Sequence, residues 1–256
     1  MRRACEHRSV AARGLMGAGT ALVALSLCSA QAPVGATPAA ACDRPVYLTF
    51  DTGHMGVAPL IAEVLNKHEV KATFFLANER TQTGGSSLDE TWAPWWRAQA
   101  QRGHAFGSHT WDHDVWVGDE PQGFRIRSTM GAQAGRVRRI SEADYCEALK
   151  RPARHFQSMT GQPMGAVFRA PAGFLGDELS SQRFPNDELL RRALKNIRSG
   201  DVLVAHLGIW SRQDPWAPAA LEPLIVGLKA RGMCFATLRE HPLYGAAAAQ
   251  AAPVLP

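Results

Sequence analysis

Four residues able to do acid–base or metal chemistry stand at the same place in four short β-rich runs. Asp51 immediately follows Val46–Phe50 (VYLTF), and His109 follows His104–Ser108 (HAFGS). Arg169 closes Ala166–Arg169 (AVFR), and His206 follows Asp201–Ala205 (DVLVA). A carboxylate can take a proton from water, an imidazole can bind a cation or return a proton, and a guanidinium can hold a carboxylate ionised. One such coincidence means little. Four in register make a site, because the C-terminal ends of parallel strands form one rim. Within the set, His109 and His113 have an H-x-x-x-H spacing. Where a strand turns into a helix, that spacing puts both imidazoles on one face, able to grip one metal ion. The plainer alternatives are a turn aspartate at Asp51, a core histidine at His206 and a structural ion-pair arginine at Arg169. His54, Asp112 and His104 read as packing or supporting groups rather than ligands.

The elements that must position these residues follow from the pattern around them. Two further runs, Ala72–Leu76 and Met233–Leu238, complete a set of six strands. Helical stripes lie between them: Leu60, Ile61, Val64 and Leu65 form one, and Leu221, Leu224, Ile225 and Leu228 another. Asn186 can cap a helix that carries Leu189, Leu190, Ala193, Leu194 and Ile197 and stops near Gly200. Ser141 with Asp144 three residues on makes a capping-box-like start for a helix running toward Met159. Repeated β-then-α order predicts a parallel sheet with helical crossovers, open or closed into a barrel. Two segments interrupt the order. Thr81–Gln101 carries three of the seven Trp, and Asp114–Ile140 carries five Arg. Both read as long loops at the site end of the strands, either recruiting substrate or simply solvated. The Ala/Pro-rich tail, residues 243–256, reads as disordered.

Composition sets the outer limits. With 46% hydrophobic and 20% charged residues, collagen-like, coiled-coil and wholly disordered chains are excluded. The formal charge of +5 is uneven, since residues 1–41 hold four of the 28 Lys/Arg and one of the 23 acids. The rest is nearly neutral and gives no argument for nucleic acid. The Arg-bearing start, the apolar run Leu15–Ala30 and the Ala/Pro stretch behind it have the shape of a secretory signal peptide. Cleavage after residue 32, 36 or 41 would leave a domain over 42–242, secreted or periplasmic, without a stable membrane span. Export permits disulfides. Cys42 precedes one strand and Cys234 lies in another. If those strands are parallel neighbours in one barrel, a Cys42–Cys234 bridge forms and Cys146 is left over. Three unpaired buried thiols are the alternative.

Taken together, the motifs resemble the polysaccharide deacetylase family, the NodB-homology domain of carbohydrate esterase family 4. The matching stretches are Leu48–Gly53 (LTFDTG), Lys71–Phe75 (KATFF), Gly107–His113 (GSHTWDH), Phe168–Gly173 (FRAPAG) and Asp201–His206 (DVLVAH). They run in family order across nearly the whole chain behind the leader. The resemblance implies a distorted (β/α) barrel of NodB type that removes N-acetyl groups from amino-sugar polymers with a divalent metal, often zinc. Peptidoglycan, chitin or an exopolysaccharide would be the substrate. By the same resemblance His109 and His113 are metal ligands, Asp51 is the base that activates water, and Arg169 keeps it ionised and aimed. His206 gives a proton to the departing amine, and the backbone N–H of Ala172, after Pro171, helps hold the oxyanion.

Two departures stand out. The family's first motif has a second aspartate, which completes a His/His/Asp metal triad; here that position is Thr52. A hydroxyl is a far weaker ligand than a carboxylate, so restoring Thr52→Asp should raise metal affinity. The stretch between Arg169 and His206 is also too short for the family's usual elements, so the barrel reads as missing about one βα unit. A degenerate, glycan-binding domain without turnover, or a hydrolase of a different amide bond, are the rival readings.

Overall fold

Strand β1, Pro45–Asp51, is buried at every position but its first. A strand buried at six successive positions needs cover on both faces, which is the requirement of a central parallel strand. The computed structural model describes residues 42–171, 185–210, 216–217 and 219–252. Residues 1–41, read above as a leader, together with Ala172 and residues 253–256 of the tail, lie outside the described residues.

From β1 the chain runs through α1 (Ala58–Lys67), β2 (Thr73–Leu76), α2 (Ala93–Gln101) and β3 (Ala105–Ser108). An antiparallel excursion follows, β4 (Asp114–Glu120), β5 (Gly123–Ser128) and β6 (Val137–Ser141), leading into α3 (Glu142–Thr160). Beyond it come α4 (Asn186–Asn196), β7 (Val202–His206), α5 (Leu221–Ala230), the two-residue β8 (Cys234–Phe235) and α6 (Gly245–Ala249). The main sheet has the order β3-β2-β1-β7, all parallel, with β8 also paired to β1. β8 and β2 share one edge of β1. Arg44 and Val46 accept hydrogen bonds from Cys234 and Ala236, and higher up Thr52 donates to Phe75; the odd-numbered Pro45 and Tyr47 bond toward β7. No barrel closure is present among the described residues.

The segment Ala166–Arg169, read above as a strand, adds only one parallel bridge, Phe168 to Ser108, at the outer edge of β3. It is a stave reduced to a single rung. Met233–Leu238 likewise shortens to Cys234–Phe235, after which the chain turns inward.

One face of the sheet carries an aromatic ladder. Phe50, Phe74 and Phe106 are register partners on three adjacent strands, with ring centroids 5.5 and 5.8 Å apart. Trp96 of α2 and Phe156 of α3 close over it, the latter 4.4 Å from Phe106. The Trp-rich segment is therefore core rather than rim: Trp96 is fully buried, and its indole N–H donates to the Ser87 carbonyl at 2.7 Å. The opposite face is covered by Tyr47, Phe75, Leu238 and Ala248 packed together. This corrects the disordered tail. Residues 245–249 are helical, Ala166 donates to the Ala247 carbonyl at 2.9 Å, and Ala252 donates to Met164 at 2.8 Å. The domain thus runs past 242, through Ala252.

Asp114–Ile140 is the other correction. Instead of a loop it is a three-stranded antiparallel sheet in which Arg125 and Arg127 face solvent and Ile126 is buried. Cys42 and Cys234 form the expected disulfide, Cα–Cα 5.8 Å, where β8 meets β1. Cys146 is not left over; it too is disulfide-bonded. Ser141 caps α3, its hydroxyl accepting from the Asp144 N–H at 3.1 Å. Asn186 is the first residue of α4, one position inside the cap. No helix among the described residues is long and apolar enough to cross a membrane.

His104 sits beneath the ladder, 1% exposed, its Nδ1 accepting the Ala72 N–H at 3.0 Å. Burial first, then the nearby cationic Lys71 and Arg102, lower its pKa to about 4. The unfolded imidazole titrates near 6.5, so the folded state refuses a proton that the unfolded chain accepts. Stability is full above that value and lost as pH falls toward 4, by about 2 kcal/mol at pH 5. Urea melts at pH 7 and 5 should show His104→Asn, whose amide oxygen can keep the Ala72 bond, losing that much less than the parent chain. Equal losses would contradict the assignment.

Candidate active site

Register fixes the first pair. Asp51 and His206 are partners across β1 and β7, so both side chains leave the sheet at one level. Asp51 is 4% exposed. Its Oδ1 accepts from Arg169 Nη1 at 2.6 Å, and its Oδ2 faces two imidazoles, His109 Nε2 at 3.6 Å and His206 Nε2 at 3.9 Å. Those two separations are too long for direct hydrogen bonds. One small reactant among the three groups would be within reach of all of them. Side-chain exposure rises from His109 (2%) through Asp51 (5%) to His206 (35%), so the site opens on the His206 side.

Arg169 is fixed from below. Nη2 donates to Thr49 Oγ1, and the guanidinium lies 4.2 Å over the Phe75 ring. Gly107 makes this possible: a Cβ there would meet Phe75 at 2.8 Å and the Val167 carbonyl at 2.9 Å. The Arg169 carbonyl also orients His109, whose Nδ1 lies 2.9 Å from it. A carbonyl can only accept, so Nδ1 carries the proton and Nε2 offers its lone pair. Burial lowers the His109 pKa against the upward pull of Asp51 and Glu79, which favours the neutral, ligating form. One arginine thus aligns both the carboxylate and an imidazole.

His113 reaches the site by a different route from the one its spacing suggests. Thr110 (φ 62°) and His113 (φ 51°) are left-handed, and the chain enters β4 at Asp114 without forming a helix. Such residues persist when surrounding bonds over-determine them. Thr110 Oγ1 accepts the Asp114 N–H at 2.7 Å, and His113 Nδ1 lies 2.7 Å from Thr129 Oγ1. The His109 and His113 rings meet edge to face, centroids 4.9 Å apart. The turn therefore does by strain what a helix would do by periodicity.

Thr52 is fully buried, and its hydroxyl donates to the Glu79 carboxylate while accepting the Ala77 N–H at 3.1 Å. Glu79 Oε2 also takes the Gly53 N–H at 2.5 Å. The sequence reading missed Glu79, which belongs to no motif and meets Thr52 only through the fold. It missed Trp210 as well, a half-exposed ring at the rim 5.0 Å from His54. His54 accepts the Gly56 N–H at 3.0 Å and supports the loop, as expected. Asp112 lies against Gly131, with its pKa raised first by burial and then by Asp114. Pro171 is buried at the edge of the site; Ala172, beyond it, is outside the described residues.

Two imidazoles with Nδ1 anchored and Nε2 free are the donor chemistry of a divalent-metal pair. The third position does not match: it offers a hydroxyl, and no three His, Cys, Asp or Glu among the described residues are arranged around one ion.

The chain is similar to known proteins in sequence and in fold. The family model described as Polysaccharide deacetylase matches residues 39–183. A chitooligosaccharide deacetylase of Azorhizobium caulinodans is 24% identical over 204 residues, 75% of this chain and 92% of that protein. The Listeria monocytogenes peptidoglycan-N-acetylglucosamine deacetylase PgdA is 36% identical over 219 residues, 81% of this chain but 40% of that protein. Among solved structures, BA3943 of Bacillus anthracis, a CE4 family pseudoenzyme, has a TM-score of 0.55 at 21% identity, covering 77% of this chain and 65% of that one. The α/β architecture with its parallel sheet is thus of the same kind.

Proposed function

The chain belongs to the polysaccharide deacetylase family, and from that premise we propose that it hydrolyses N-acetyl groups on N-acetylglucosamine-containing polysaccharide. One observation carries the reading: a buried carboxylate, gripped by Arg169 on one oxygen, turns its other oxygen to His109 and His206.

An acetamide is a weak electrophile with a poor leaving group, so both ends of the reaction need help. Asp51 Oδ2 takes a proton from water as the oxygen adds to the acetyl carbonyl. His206, on the open side, donates a proton to the sugar nitrogen as its bond to the acetyl carbon breaks. Acetate and a free amine result. Arg169 is a positioning residue: its hydrogen bond to Oδ1 keeps Asp51 aimed, and it touches no reacting atom. The backbone N–H of Ala172 is the expected oxyanion donor. When a divalent cation is bound at His109 and His113, zinc suiting such nitrogen donors, the chemistry it supplies is polarisation of the carbonyl and acidification of water. The names of the relatives support peptidoglycan or chitin as the polymer, and Trp210 gives the rim a face on which a sugar ring can stack. The leader over 1–41 and the Cys42–Cys234 bridge support a secreted or periplasmic location.

Thr52 favours a second reading, a domain that holds glycan without turning it over. Incubating the purified chain with N-acetylglucosamine oligomers and peptidoglycan separates the two. Acetate and new amine in equal amounts support hydrolysis; binding without either product supports the second reading.

A further inference from the structure

We propose that the exposed arginine face of the β4–β6 sheet is a docking surface for a carboxylate-bearing glycan, peptidoglycan rather than neutral chitin. The inference rests on the polysaccharide reading above and narrows its substrate. Parity across the three strands defines the face. Arg125 and Arg127 stand two apart on β5, and their register partners on β6 are Arg139 and Val137. On β4 the partners are Gly118 and Val115. The opposite face carries Phe124 and Ile126, which pack with Ile140 and with Tyr145 of α3. That face is covered, and Arg125, Arg127 and Arg139 are left exposed on the other. A Cβ at Gly118 would stand 3.0 Å from Arg125 Nη2, so the guanidinium lies across the neighbouring strand.

The face carries more cation than it answers. Glu120 is shared between Arg125 at 3.4 Å and Arg139 at 3.6 Å. Arg138 and Asp114 point to the covered side and pair there at 3.8 Å. Arg127 has no ion pair among the described residues. The face is also rooted at the turn that carries His109 and His113. β4 begins at Asp114, directly after His113, and β5 ends at Ser128, whose neighbour Thr129 lies 2.7 Å from His113 Nδ1. Arg127 stands one register step beyond the Asp114–Ser128 pair, and Arg125 and Arg139 stand two residues further out. In the main sheet, β3 and β7 are at opposite ends of the order, so His206 and this turn are separated by about 14 Å at ~4.8 Å per strand. A ligand that reaches from His206 to Arg127 is therefore a polymer of several sugar rings. Guanidinium forks bind carboxylates through paired hydrogen bonds. Peptidoglycan carries free carboxylates on its peptide stems and chitin carries none, so the face selects the former.

Sedimentation of the full chain with insoluble peptidoglycan tests this, beside the same polymer with its carboxylates amidated and beside chitin. At low salt the parent should bind the acidic polymer about tenfold tighter than either neutral one, within what three exposed charge pairs supply. The preference should fade as salt screens the charges. R125Q/R127Q/R139Q should bind all three polymers alike. K67Q/R154Q/R191Q, which removes the same charge from α1, α3 and α4, should keep the preference. Circular dichroism melts accompany each variant. If R125Q/R127Q/R139Q fails to fold, Arg127→Gln carries the test, with the preference expected to fall about twofold and no change overturning the proposal. Equal binding of the three polymers by the parent, a preference retained in folded R125Q/R127Q/R139Q, or the same loss in K67Q/R154Q/R191Q would also overturn it. A parent chain that sediments with phosphatidylglycerol vesicles and not with peptidoglycan would assign the face to a membrane instead. Acetate release from N-acetylglucosamine oligomers by the parent is read separately. Charge-selective binding without acetate would overturn the deacetylase reading alone, and acetate without charge-selective binding would overturn this proposal alone.

Discussion

Asp51→Asn should lower turnover for acetate release by about 10³–10⁴-fold, the range a positioned general base contributes. The exchange is nearly isosteric. The amide oxygen can still accept from Arg169 Nη1, so the fold and the 2.6 Å contact should survive while the basic oxygen is lost. KM should change by less than about threefold, because Asp51 is 4% exposed and has little surface to offer a ligand. Equal melting temperatures with the activity gone would place the defect in the chemistry. Activity within tenfold of the parent would move the base elsewhere.

The second large effect is expected at His109. His109→Ala removes an imidazole that is 2% exposed and leaves the Arg169 carbonyl without its donor. Stability should fall by about 1–3 kcal/mol for the stranded acceptor. Activity should fall at least about 10³-fold, and metal affinity with it, since several kcal/mol of charge stabilisation depend on the ligand pair. His109→Gln keeps a donor for the carbonyl and should recover the stability without the activity. The pair of variants thus separates packing from ligation. A His109→Gln chain with near-parental turnover would remove His109 from the site.

Much of this site was legible because it lies at strand ends. Apolar runs such as Val46–Phe50 announce a buried parallel strand, and the polar residue behind each run is the first free to leave the sheet. Arg169 needed more. AVFR reads as a strand, yet it contributes one bridge, and its importance comes from where its carbonyl and guanidinium point. The β4–β6 sheet is masked in the sequence by its five arginines, which suit a long loop, substrate-recruiting or solvated. The alternation Phe124, Arg125, Ile126, Arg127 was the better signal, since period two marks a strand whatever its exposed face carries. The tail was misjudged on composition: Ala-rich sequence without periodicity can still become a helix when a half-covered sheet offers Tyr47 and Phe75 to pack on. Glu79 had no local signal at all. It lies 27 positions from Thr52 in the chain, and only the adjacency of β1 and β2 brings them together.

The most direct test of the central claim is acetate release from N-acetylglucosamine oligomers by the purified full chain, supplied with zinc and measured with new free amine in the same sample. One acetate per amine formed, lost on chelation and lost in Asp51→Asn, is the predicted result. A folded, disulfide-bonded chain that binds zinc and yields neither product on oligomers or peptidoglycan would contradict it.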